Sequence, residues 1–149
     1  MAEVHPDDLA GVKAWFETLA AHVREVDFAG ARSIFAADMI AFGTFTDFMT
    51  GREAAETQQW RTVWPHIDGF RWRPDIRAIV SPDRLQAVGM GIFDSTGYRQ
   101  DGTPYDRAGR ATVVLVCAAT NAPWVAQHTH LSLFRDVPTR SFKNKPEKR

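Results

Sequence analysis

The run WVAQHTHLSLF, residues 124–134, sets His128 and His130 two positions apart among β-prone residues, so an extended strand turns both imidazoles to one face. That arrangement suits three kinds of chemistry. Two imidazoles at alternate positions can converge on a metal ion, but a site needs a third ligand, and no Asp, Glu or His is paired with them in sequence. They can act as general acid or base, since a free imidazole titrates near pH ~6.5 and Arg110 or Asp94 on neighbouring strands could tune them. They can also satisfy hydrogen bonds on a half-buried sheet face. We favour this structural reading, and expect neither a metal nor an organic cofactor.

Other groups offer chemistry in a pocket. Asp47, in FGTFTDFM, becomes a carboxylate base if its loop folds over a pocket mouth, although a turn aspartate is the commoner role. Tyr98 and Asp94 stand near the end of a strand, where they can orient a small molecule. The chain carries five tryptophans, and Trp60, Trp64, Phe70, Trp72, Phe93 and Tyr98 surround the third helix and the first two long strands. Such a set either fills the core or lines an apolar pocket. Cys117 is the one cysteine, which excludes an internal disulfide, and in TVVLVCAA it reads as a small buried thiol. Arg71, Arg73 and Arg77 alternate with Trp72 and Ile76 in the manner of a solvated strand face.

These side chains need a scaffold. Leu9, Val12, Phe16, Leu19 and Val23 recur every three or four residues, which predicts an amphipathic helix over residues 7–25 capped by Asp7 or Asp8. A short second helix follows Asp27, with Phe28, Ala31 and Phe35 on one side. MIAFGTF predicts a short strand, and Thr50 with Glu53 forms a capping-box pattern for a third helix that Pro65 stops. Four β-prone runs then follow, FRWRPDIRAIV, LQAVGMGIFDS, RATVVLVCAA and WVAQHTHLSLF, and they predict one antiparallel meander. Asp101-Gly102 suits the turn within RQDGTPYDRAG, and Gly89 and Gly91 inside a strand predict a bend or a close approach by another group.

With 149 residues the chain suits one domain. We expect it to occupy residues 1–136, with residues 137–149 as a flexible basic tail. Eighteen Lys and Arg balance eighteen Asp and Glu, so no basic face is announced and nucleic acid is not an expected partner. No run approaches the ~20 apolar residues of a membrane helix, and MAEVHPDDLA lacks the pattern of a signal peptide, so a soluble cytoplasmic protein is expected. The predicted strand GRATVVLV is apolar on both faces. With helices on one side, the expected second cover is another copy of the chain, giving a homodimer through the convex sheet face.

The order of elements resembles the nuclear transport factor 2-like superfamily, and more closely its SnoaL-like and ketosteroid-isomerase-like branch. GRATVVLV, then Trp124, then His128, His130 and Ser132 resemble that branch's closing strands, and SIFAADMIAFG followed by GREAAE resembles its second helix, first strand and third helix. The resemblance implies an α+β fold, three N-terminal helices on a strongly curved antiparallel sheet with a cone-shaped pocket. It also implies a small, largely apolar or aromatic ligand, and the functions range from isomerase, cyclase or dehydratase to non-catalytic sensing or assembly. On the family pattern Phe42 and Gly43 stand where the steroid isomerases carry their base, and neither takes a proton; the tyrosine position falls near Leu19, one turn from Trp15. The expected catalytic set is therefore His130 or Asp47 as base and Tyr98 as oxyanion donor. Trp15, Trp60, Trp64, Phe93, Asp94 and His128 are the expected pocket residues.

Overall fold

The computed structural model describes residues 3–148. The predicted periodicity buries Val12, Phe16, Leu19 and Val23 along one face of α1 (Pro6–Glu25). Its cap differs from the expectation. His5 is the N-cap, and its Nδ1 accepts the Asp7 N–H at 3.1 Å. Asp8 is instead committed to a tertiary ion pair: it is 2% exposed and takes Arg84 Nε at 2.7 Å. Asp27 caps α2 (Phe28–Arg32) as predicted, accepting the Gly30 N–H at 3.0 Å.

Strand β1 (Phe35–Phe42) pairs with the short β2 (Met49–Thr50), and a helical stretch of four pieces follows: α3 (Arg52–Ala55), a π turn (Glu56–Trp60), α4 (Arg61–Val63) and a 3₁₀ turn (Trp64–His66). The capping box is not formed. Thr50 is held in the sheet opposite Ile40, and Gly51, at φ 94°, is the N-cap without a side-chain bond. The π turn buries Glu56, Gln59 and Trp60 together, and Arg32 and Arg61 grip the Glu56 carboxylate from both sides.

The rest of the sheet comprises β3 (Asp68–Trp72), β4 (Arg77–Val80), β5 (Gln86–Tyr98), β6 (Pro104–Asp106), β7 (Gly109–Val116) and β8 (Val125–Leu133). FRWRPDIRAIV, expected as one strand, divides into β3 and β4 around Pro74, which has no N–H to give a ladder. The strand order is β2-β1-β8-β7-β5-β3, with β4 and β6 also on β5. The sheet is mixed rather than wholly antiparallel, because β1 runs parallel to β8, with Ile40 opposite His128 and Phe42 opposite His130. The architecture is α+β, helices against the concave face of a curved sheet, as the sequence predicts.

Along β5 the alternation is strict, and Ala87, Gly89, Gly91, Phe93, Ser95 and Gly97 are buried. Gly89 marks a close approach, as expected: a methyl group there would lie 2.7 Å from Cε1 of the buried Phe16 ring. Phe16 is thereby seated on bare backbone, and Trp72 locks it by donating Nε1–H to the Phe16 carbonyl at 2.8 Å.

Residues 137–148, expected to trail into solvent, return to the body. The Phe142 N–H donates to the Tyr98 carbonyl at 2.9 Å, the Lys145 N–H to the Pro65 carbonyl at 2.6 Å, and the Lys148 N–H to the Val26 carbonyl at 3.3 Å. Charge explains the course: Lys143 and Lys145 face Asp68, and Lys148 faces Glu25 and Asp27. Among the described residues no helix is long and apolar enough to cross a membrane.

Candidate functional site

The helical stretch and the concave sheet face enclose a narrow cone of about 50 Å³. Its wall is built of ring faces. Trp60 and Trp64, four residues apart, stack at 5.0 Å and 12°, Phe35 of β1 lies 4.7 Å from Trp60, and Phe70 of β3 stacks on Phe93 of β5 at 5.0 Å. Thr129 and Leu131 of β8 complete the sheet side. The cone adjoins a vestibule of about 530 Å³, walled by Phe45, Arg61, His66 and the returning tail at Thr139, Arg140 and Ser141. Val63, Ile67 and Arg107 line both spaces, so Arg107 stands where they meet.

Arg107 lies between β6 and β7 and is 2% exposed. Its backbone is fixed by reciprocal bonds with β5: its N–H donates to the Ser95 carbonyl at 2.8 Å, and the Ser95 hydroxyl donates to the Arg107 carbonyl at 2.7 Å. Among the described residues its guanidinium has neither a carboxylate partner nor a hydrogen-bonded neighbour. Burial pushes its pKa down to about 10, so the group still carries its charge at neutral pH. Gln59 is the second polar group on the cone wall. Its Nε2 donates to the Thr44 hydroxyl at 3.3 Å, while its Oε1 is buried without a partner. The same amide explains Gly43: a methyl group at residue 43 would fall 2.1 Å from Gln59 Oε1. Where the resemblance would set a catalytic base, the space belongs to a glutamine.

Three of the expected pocket residues, Trp60, Trp64 and Phe93, line the cone. Trp15 is buried beside it, donating Nε1–H to the Ile34 carbonyl at 3.0 Å and packing edge-on against Phe16 and Phe35. Asp94 faces outward, accepting from Nη2 and Nε of Arg73 at 3.0 and 2.9 Å. Tyr98 donates to Asp68 at 2.6 Å, away from the cone, and that bond raises the phenol's pKa. Asp47 is exposed on the loop that follows β1; its neighbours Gly43 and Thr44 line the cone, but its own side chain does not.

The two histidines occupy the convex face. His128 is half-buried with Nδ1 bonded to the Ile40 carbonyl at 2.6 Å, and His130 is exposed with its ring 5.2 Å from that of Phe42. Neither lines the cone. The imidazoles therefore share a face, as the alternation predicts, but it is the face opposite the cavity. Among the described residues no three of His, Cys, Asp and Glu gather in a cluster able to hold a metal ion. Cys117 is half-buried, and burial raises its thiol pKa, which keeps it in the less nucleophilic form.

Arg107 is what sequence reasoning passes over, because RQDGTPYDRAG reads as a turn. The signal is parity: Arg107, Gly109, Ala111, Val113 and Leu115 are all buried, so the inward alternation of β7 begins two residues before the strand.

Comparison with known proteins places this geometry. No curated protein sequence matches the chain. A ketosteroid isomerase-like protein from Erwinia carotovora atroseptica has a similar structure, with TM-score 0.73 and 14% identity over 90% of this chain and 100% of that one. A nuclear transport factor 2-like superfamily protein from Salmonella enterica gives TM-score 0.72 and 13% identity over 88% of this chain and 94% of that one. The CaMKII hub of S. rosetta gives 0.70 and 16% over 89% and 100%. At these identities the likeness is one of fold, and the family is decided by the sequence itself: residues 12–136 match the SnoaL-like domain, and the chain belongs to that family.

Proposed function

We propose that the protein binds a small, largely apolar molecule whose tip enters the cone and whose remainder lies in the vestibule. The observation that carries this reading is the continuity of an aromatic-walled cone with an open vestibule through Arg107, Val63 and Ile67. The cone alone is narrower than the ~300–1,000 Å³ of ordinary ligand pockets, whereas the vestibule falls within that range. Ligand entry is therefore a matter of filling both.

Binding without acid/base chemistry fits the walls better than isomerisation, cyclisation or dehydration. Arg107 is the one titratable side chain lining the cone among the described residues, and an arginine that keeps its proton is no general base. His130 lies between Thr129 and Leu131 of the cone wall but turns to the other face, so an acid/base version of the function rests on Asp47, whose loop carries Gly43 and Thr44 to the cone. Similar folds are named for both possibilities, one ketosteroid isomerase-like and one an assembly hub. We include in the proposal a homodimer through the convex face and a cytoplasmic location.

The test is a thermal-shift screen with neutral aromatic and aliphatic compounds, read together with tryptophan fluorescence, since Trp60 and Trp64 form the wall. Specific binding raises the melting temperature by mass action and changes the emission. A screen in which no compound does both removes the reading.

A further inference from the structure

Among the described residues Arg107, at 2% exposure, has no carboxylate beside it, which is costly, because the charge gives up most of its water without a countercharge in return. Most arginines of this chain are paired or exposed: Arg32 and Arg61 with Glu56, Arg73 with Asp94, Arg77 with Asp75, and Arg84 with Asp8. Among the described residues Arg52 is held by the Arg32 and Phe35 carbonyls, whereas Arg107 is buried with no such partner, and its location is specific. It stands at the junction of an apolar cone and a vestibule, its backbone locked to Ser95 on both sides. The vestibule adds Arg140, His66 and Arg61, the last already paired with Glu56, and among the described residues no acidic side chain lines it. A second unused polar group, the Gln59 Oε1, is buried in the same cone. Turned over, that amide keeps Thr44 as a partner and presents N–H groups to the cone instead.

We propose that Arg107 is an anion-recognition residue, and that the cone's ligand is an apolar monocarboxylic acid whose hydrocarbon end lies among the tryptophans while its carboxylate takes the Arg107 guanidinium. This rests on the cone-binding reading and narrows it from small apolar molecules to acids. The planar guanidinium matches a carboxylate with two parallel N–H···O bonds, which a point charge would not. The acid supplies the countercharge that the fold withholds, and the apolar wall supplies the discrimination against inorganic anions. A neutral amide of the same shape offers the guanidinium one carbonyl acceptor, no second acceptor and no countercharge, so it binds less well even where it fits the cone equally.

The experiment compares hexanoate with hexanamide on the full chain, by tryptophan fluorescence titration and melting temperature, for the native protein and for Arg107→Met and Arg107→Lys. The expected result is that hexanoate binds at least tenfold more tightly than hexanamide to the native protein. Arg107→Met removes that preference, so that the affinities for the two probes converge, and Arg107→Lys restores part of it. Arg107→Met takes a costly charge out of the interior, so it is expected to fold with an unchanged or higher melting temperature. Equal affinity for the two probes in the native protein, or an undiminished hexanoate preference in either folded variant, overturns the assignment to Arg107 and leaves cone binding standing. Failure of both probes to bind, with neutral compounds also silent, overturns the cone reading itself.

Discussion

Ser95 and Arg107 hold each other by two hydrogen bonds of opposite direction, hydroxyl to carbonyl at 2.7 Å and amide to carbonyl at 2.8 Å. The hydroxyl of Ser95, itself 4% exposed, ties the Arg107 backbone to β5 at a place where the chain leaves one short strand and enters a long one. Replacing Ser95 by alanine leaves the Arg107 carbonyl without that donor. The expected loss is about 1–2 kcal/mol of unfolding free energy, measured by urea denaturation, with the apparent acid preference of the cone reduced in parallel. A variant as stable as the native protein and unchanged in acid preference would show that the pair does not position Arg107.

Gly89 tests the seat of α1 on the sheet. A methyl group at this residue meets the Phe16 ring at 2.7 Å and Val12 Cγ1 at 3.0 Å, and both side chains are fully buried. Gly89→Ala is expected to cost about 1–3 kcal/mol through overpacking, seen as a lower melting temperature without loss of helical circular dichroism at low temperature. No change in melting temperature would mean that the helix shifts outward freely.

Glu56 predicts an acid limb in stability. Two arginines hold its carboxyl down to about 2 from an ordinary 4.5, with the Arg32 hydrogen bonds the leading cause. Because the folded pKa is depressed, the contribution is complete above about pH 4.5 and disappears as pH falls toward about 2. With the arginines partly exposed, the contribution is about 2–3 kcal/mol. Glu56→Gln should lower stability at neutral pH by that order and flatten the profile between those values; an unflattened profile would assign the acid limb to other carboxylates.

The convex face carries the dimer proposal. Register aligns Ile79, Val88, Val114 and His128 across four strands, with Ile40 beyond, and Ile79 is 56% and Ile40 43% exposed. A row of this kind is covered by a second copy in the expected state. Sedimentation velocity at micromolar concentration should give a dimer for the native protein and a monomer for Val114→Arg, with far-ultraviolet circular dichroism unchanged. A native monomer would remove the proposal.

Several of these elements were readable from local pattern. The face of α1, the Asp27 cap, the shared side of His128 and His130 and the tryptophans at residues 60 and 64 each depend on neighbours a few positions away, and each was legible for that reason, whereas the bulge at Gln127 that breaks the alternation of β8 was not. The caps at the other helices were not. His5 took the place of Asp7 and Asp8 because Asp8 had a distant arginine to meet, and Thr50 was withdrawn from capping by its strand partner. The parallel pairing of β1 with β8 and the return of the tail over Asp68 are likewise long-range choices.

The sequence by itself determined the layers, the family and a wall of aromatic residues, because hydrophobic period and turn chemistry act within a few residues. Only the tertiary structure decided which face of the sheet looks into the cone. Alternation says that His128 and His130 share a side, but which side depends on where the helices pack, and they pack on the other. The same packing carried Arg107 from an apparent surface turn to the junction of cone and vestibule. A charge's solvation is set by everything folded around it, which no local window contains.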